Sequence, residues 1–174
     1  MLKNNNFRSM LMDGRTITCS GKKVVISDGS IIVDGNVVQS EIGNSPTIII
    51  NGDVNMIICS GAVEVYGKSR DVVCVDSVKV HGSSRAVGCE GSVSCESVSG
   101  DIDCSGDCIV SGYVEGDIDC EGSVSCKSIS GDIDCSGCCS VSGDVNGDID
   151  CEGSVSCQNV SGDIDCGGDI ILKK

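Results

Sequence analysis

The sequence predicts an all-β fold, a parallel β-helix of triangular section with 15–16 residues per coil and an antiparallel β cap at its N-terminal side. Three observations carry this. The tetrapeptide Asp-Ile-Asp-Cys occurs five times, at 101–104, 117–120, 132–135, 148–151 and 163–166. Cysteines fall at 59, 74, 89, 104, 120, 135, 151 and 166, in steps of 15 or 16. The core filler has to be Val, Ile and Cys, because the chain holds no Trp and one Phe. Such filler suits a narrow, layered interior.

Residues 1–14 read as a tail. Residues 15–46 read as an antiparallel meander followed by a loop. The run GRTITCSGKKVVISDGSIIVDGNVVQ has strand-like segments about seven residues apart, and Asp28-Gly29 and Asp34-Gly35 are tight-turn signals. The loop holds Pro46, the one proline of the chain. The meander is expected to cover the end of the solenoid, because bare strand ends and an apolar coil section invite aggregation.

Residues 47–174 read as the solenoid. Two residues before each register cysteine stands an aliphatic: Ile57, Val72, Val87, Ile102, Ile118, Ile133, Ile149 and Ile164. A second pair of columns runs from Val63 and Val65 to Ile170 and Leu172, and a single column runs through Val98, Val114, Ile129, Val145 and Val160. Period-2 alternation over three to five residues means short strands. Gly and Ser between them mark corners. Three short strands per repeat make one coil, and each coil buries its inward residues only against its neighbours. The steps of 15 and 16 combine into a 31-residue super-repeat, with EGSVSC at 90, 121 and 152. Crossovers between parallel strands are nearly always right-handed, so a right-handed coil is expected.

Charge is unevenly spread. Residues 1–86 carry 9 Lys and Arg against 8 Asp and Glu, and residues 87–174 carry 3 against 18. The second half should repel phosphate backbones, which argues against nucleic acid as a partner. No apolar run of 18 residues occurs, so no membrane span is expected. The opening MLKNNNFRSMLMDG has no apolar run of signal-peptide length, and the 15 cysteines are odd in number. A reducing cytoplasm with free thiols is the expectation.

The cysteine column, Cys59, Cys74, Cys89, Cys104, Cys120, Cys135, Cys151 and Cys166, would stack along one inner edge as small apolar filler. The alternative is one cross-core disulfide per coil, pairing Cys89/Cys95, Cys104/Cys108, Cys120/Cys126, Cys135/Cys139 and Cys151/Cys157. Cys138 reads as out of register, facing solvent and the most reactive thiol. In Asp-Ile-Asp-Cys the Ile and Cys point in, so both acids point out. Ten carboxylates then share one face: Asp101, Asp117, Asp132, Asp148 and Asp163 in one column, Asp103, Asp119, Asp134, Asp150 and Asp165 in the next. Such a face repels itself. It is read as a guard against sheet-on-sheet aggregation, or as a surface for a basic partner or for Ca²⁺ bridging adjacent rows. No other cofactor is implied. Five equivalent copies offer no distinguished catalytic pair, so no enzymatic activity is expected. His81, the lone histidine, reads as a surface residue. Lys68, Arg70 and Arg85 fall near one corner of the early coils.

The steps VSGDID, VEGDID, ISGDID and VNGDID, in coils punctuated by Val and Gly, resemble those of bactofilins, the polymer-forming cytoskeletal proteins. The resemblance covers roughly residues 47–172. It implies a right-handed β-helix that polymerises end to end without nucleotide. Coil length and the cysteine lining depart from that pattern. The front end also resembles β-helix proteins of bacteria and their phages, which bring no activity with them. The expected function is therefore a non-enzymatic, rigid scaffold that self-associates as a homo-oligomer through its cap or coil ends and displays an acidic face. The rivals are an acidic decoy, of the kind a phage would encode, that sequesters a basic host protein, and a calcium-binding solenoid.

Overall fold

A computed structural model describes residues 8–12, 15–19, 23–27, 30–34, 36–40, 48–59 and 61–173. The described residues form strands and turns and contain no helix. From Cys59 to Cys166 the chain climbs through eight stacked rungs. Their register cysteines pair Cys59↔Cys74↔Cys89↔Cys104↔Cys120↔Cys135↔Cys151↔Cys166, all in parallel. Alternation of inward and outward residues produces this shape locally. In Ile102–Cys104 the outer two residues are buried and Asp103 is exposed, and the same pattern recurs in Ile118–Cys120, Ile133–Cys135 and Ile149–Cys151.

Each coil has three faces. The first carries the Ile-x-Cys pairs. The second carries pairs such as Val93/Cys95, Cys108/Val110 and Val124/Cys126, stacked in a separate sheet. The third is one residue wide and runs Val98↔Val114↔Ile129↔Val145↔Val160. One coil therefore sends Ile102, Cys104, Cys108, Val110 and Val114 inward, each at most 2% exposed. Burying a side chain of this size contributes about 1.5–3 kcal/mol. On the second face the extra cysteine of each coil alternates between two inner columns. It sits at Cys95, Cys126 and Cys157 in one and at Cys108 and Cys139 in the other, so each of these thiols lies over a valine of the coil beneath.

The single column of the third face continues into the early coils, which the sequence pattern did not show. Val54 pairs with Ser69, and Ser84 pairs with Val98. Both serines are buried, and their hydroxyls bond each other at 2.8 Å. Ser84 also reaches the carbonyl of Arg70 at 3.3 Å. A pair of hydroxyls that satisfy each other can stand where the other coils have Val or Ile.

At the N-terminal side the strands divide between the two main sheets. Strand β1 (Arg8–Met12) pairs antiparallel with β2 (Arg15–Cys19) and with β6 (Ile48–Asn51), extending one sheet. Strand β3 (Lys23–Ser27) pairs parallel with β7 (Val54–Cys59) as a further rung, with Ile26 opposite Cys59. It also pairs antiparallel with β4 (Ser30–Val33), which pairs with β5 (Asn36–Ser40). The sequence suggested one meander over 15–39 and a tail over 1–14. The structure splits the meander between two sheets and places a strand within the tail. RSMLM is too short to show a period, and its partner in β6 is distant in sequence. The pairing Val33↔Asn36 leaves a two-residue turn, where Asp34 has φ 50°. Aspartate tolerates that left-handed conformation better than most residues. The expected turn at Asp28-Gly29 and the loop with Pro46 lie outside the described residues.

Ile118 is 1% exposed in the middle of the stack. Ile118→Ala is expected to cost about 2–5 kcal/mol, read from the midpoint of urea unfolding.

Candidate functional site

The first acid of each Asp-Ile-Asp-Cys phrase sits at a corner, and in the first four phrases its carboxylate has an internal partner. Asp101 Oδ1 accepts the backbone N–H of Asp117, one coil on, at 3.1 Å. Asp117 does the same for Asp132 at 2.9 Å, Asp132 for Asp148 at 2.8 Å and Asp148 for Asp163 at 2.8 Å. The glycine before each acid leaves the room. A Cβ on Gly131 would lie 2.2 Å from Asp117 Oδ1 and 2.4 Å from the Gly116 carbonyl oxygen, and Gly116, Gly147 and Gly162 are placed alike. The recurrent Gly-Asp step is therefore a hydrogen-bond joint between coils.

A second corner repeats the device with other acceptors. Ser77 accepts from the N–H of Ser92 at 3.2 Å, Ser92 from Asp107 at 3.2 Å, Asp107 from Ser123 at 2.9 Å and Ser123 from Cys138 at 3.2 Å. Ser154 accepts from Asp169 at 3.1 Å. Cys138 thus occupies a corner register position, which corrects the reading of it as out of register. It is exposed as expected. Its Sγ stands where its neighbours offer an oxygen, 2.8 Å from where a Cβ on Gly153 would be.

The second acids, Asp103, Asp119, Asp134, Asp150 and Asp165, lie in register on the outer surface of the first face and are exposed. Five carboxylates therefore share that face rather than ten, since the other five belong to the corner. The ion pairs among the described residues, Lys79–Glu64, His81–Glu64 and Arg85–Asp71, include none of them. Adjacent members stand one strand spacing apart, about 4.8 Å. Each like pair costs up to about 1 kcal/mol in water. Among the described residues no group of three or more His, Cys, Asp or Glu is arranged to hold a metal ion.

The cysteines from Cys59 to Cys166 are free thiols. Each register cysteine sends its S–H to the carbonyl two residues on: Cys59 to Gly61 at 3.2 Å, Cys74 to Asp76 at 2.9 Å, Cys89 to Gly91 at 3.2 Å and Cys104 to Gly106 at 3.5 Å. Cys120, Cys135, Cys151 and Cys166 do likewise at 3.4–3.8 Å. The position needs a side chain small enough for a narrow interior and able to donate weakly to the corner carbonyl. Of the cross-core pairs, Cys104 lies beside Cys108, and it also stands in register with Cys120 above it. Burial pushes Cys95 and Cys126 up to about 12 and Cys151 up to about 11.

The early coils hold what remains of the charged chemistry. Glu64 accepts from the Tyr66 hydroxyl at 3.0 Å, from His81 Nε2 at 2.7 Å and from Lys79 at 3.5 Å. The His81 hydrogen bond is the main cause that holds its carboxyl below the usual range. The His81 and Tyr66 rings stack at 4.2 Å, one coil apart. No motif marked this cluster, because its members are neighbours only once the 15-residue coil is closed. Lys68, Arg70 and Arg85 line a groove of about 530 Å³ that lies over Ser69 and Ser84.

The final coil differs from those beneath it. Its strands, Ile164–Cys166 and Ile170–Leu172, are the outermost of the two sheets on that side. Ile170 and Leu172 are 50% and 55% exposed, although they continue columns whose previous members, Val155 and Cys157, are fully buried.

Compared with protein families, residues 92–174 match bactofilin, described as polymer-forming cytoskeletal. Neither the curated proteins nor the solved structures yield a match.

The two acid columns should respond oppositely to mutation. Asp117→Ala removes an acceptor and is expected to destabilise by about 1 kcal/mol, Asp117→Asn to be near neutral, and Gly131→Ala to cost more than either. Asp103, Asp119 and Asp134 changed together to Asn should raise the melting temperature. Thermal unfolding at low salt measures all of these. The thiols supply a pH dependence. With the ordinary value at 9.0 and Cys95 and Cys126 raised to about 12, the unfolded chain gives up protons first. Stability is then full below about pH 9 and falls as pH rises toward 12. At pH 8, iodoacetamide should modify Cys138 well before any register cysteine, as peptide mass mapping would show.

Proposed function

We propose that the protein is a non-enzymatic scaffold that self-associates end to end through its final coil. The half-exposed Ile170 and Leu172, in line with fully buried neighbours, carry the reading. A second copy stacked on this coil would bury them and pair the open strand edges of Ile164–Cys166 and Ile170–Leu172. The match of residues 92–174 to a polymer-forming family supports the same conclusion. The repeated rung suits it physically, because a stack that already matches itself coil on coil can accept one more matching layer. The acidic columns then keep the sides of such a rod soluble.

The rival in which the acid face captures a basic host protein rests on charge alone. No helix among the described residues is long and apolar enough to cross a membrane.

Leu172→Asp and Ile170→Asp are expected to convert filaments or large assemblies to single chains without changing the circular dichroism spectrum. Analytical ultracentrifugation over a hundredfold concentration range, with negative-stain microscopy, reads the outcome. Assemblies that persist in both variants would sink the end-contact reading.

A further inference from the structure

We infer that the basic groove of the early coils is a side-to-side docking surface for the acidic corner of a second copy of this chain. This surface is separate from the final coil, and the inference does not rest on the end contact.

The groove exists because of a change in the filler of the third face. Where other coils place Val or Ile, the early coils place Ser69 and Ser84, and the surface above them is indented. Its walls carry Lys68, Arg70 and Arg85 against a single acid, Glu115. Arg85 is engaged with Asp71. Lys68 and Arg70 are in no ion pair with a described residue. The backbone N–H of Arg85 meets the Arg70 carbonyl at 2.8 Å, so the two arginines stand on successive coils. Like charges one strand spacing apart repel, and among the described residues the ion pair made by the two arginines is Arg85–Asp71.

The complementary surface lies higher on the same molecule, and its carboxylates are in no ion pair with a described residue. Asp117, Asp132, Asp148 and Asp163 project from one corner, one per coil, at the rise that separates Arg70 from Arg85. Each is exposed, and Asp117, Asp132 and Asp148 each spend Oδ1 on the next coil, which leaves Oδ2 to accept from outside. A projecting line of carboxylates fits a recessed line of cations in shape, spacing and sign. The charge division between the two halves, +1 over residues 1–86 and −15 over residues 87–174, points the same way. Two copies related by a two-fold axis would fill both grooves at once.

The test is run on the full chain carrying Leu172→Asp, which takes the end contact out of the measurement. Sedimentation at about 20 mM and about 500 mM salt should give a pair of chains at low salt and single chains at high salt, where the screening length falls to a few ångströms. Arg70→Glu should weaken the low-salt pair by about tenfold or more. The double change Asp132→Asn and Asp148→Asn should do the same, although it keeps the corner acceptor oxygens. Its unchanged melting temperature would separate a docking role from a structural one. Single chains at low salt, or pairing that Arg70→Glu leaves intact, would overturn the inference. Filaments that survive Leu172→Asp would count against the end contact alone.

Discussion

Every coil of this protein must lie flat on the one below, and the backbones can approach that closely only at corners that carry no Cβ. Gly106, Gly122, Gly137, Gly153 and Gly168 stack with direct N–H to carbonyl contacts of 2.9–3.1 Å between several successive members. A methyl group at these sites would lie within 2.4–2.8 Å of the coil beneath. The rest of the molecule follows from that closeness. The interior narrows until aromatic residues have no place, the filler reduces to Ile, Val and Cys, and the corner acceptors become short side chains that reach one N–H and no farther.

Cysteine solves a specific problem in this frame. At the end of the first face the chain turns, and the carbonyl two residues on faces inward. Valine would fill the volume without answering that carbonyl, and serine would bury a stronger dipole. A thiol does a little of both, and eight rungs repeat the choice. On the second face burial holds Cys95 and Cys126 as thiols, while Cys138 at the corner remains open to solvent.

The columns of Ile, Val and Cys were legible in the sequence because a strict period writes them out, and every step of 15 or 16 became a registered pair. The two acids of Asp-Ile-Asp-Cys were not separable, because both alternate outward and differ only in which side of the corner they fall. The same ambiguity hid the place of Cys138, whose doubled sulfur drew the eye away from the serine and aspartate column it belongs to. Ser69 and Ser84 were missed for another reason. Hydroxyls in an apolar column look like a break in the pattern until their mutual hydrogen bond is seen. The Glu64, Tyr66 and His81 cluster needs the coil closed before its members meet.

The alternation of the second-face thiols has a consequence for how such a chain can change length over generations. Loss or gain of a single coil would place Cys95 in line with Cys108's neighbour column out of turn, so that sulfur stacks on sulfur in one column and valine on valine in the other. Loss or gain of two coils keeps thiol on valine in both columns, because the 31-residue unit returns to the same phrase at residues 90, 121 and 152. Unequal recombination between those near-identical stretches would therefore yield a shorter or longer rod with the same alternation of thiol and valine. The heritable unit of length is the coil pair, and rod length can change in steps of two without setting sulfur on sulfur.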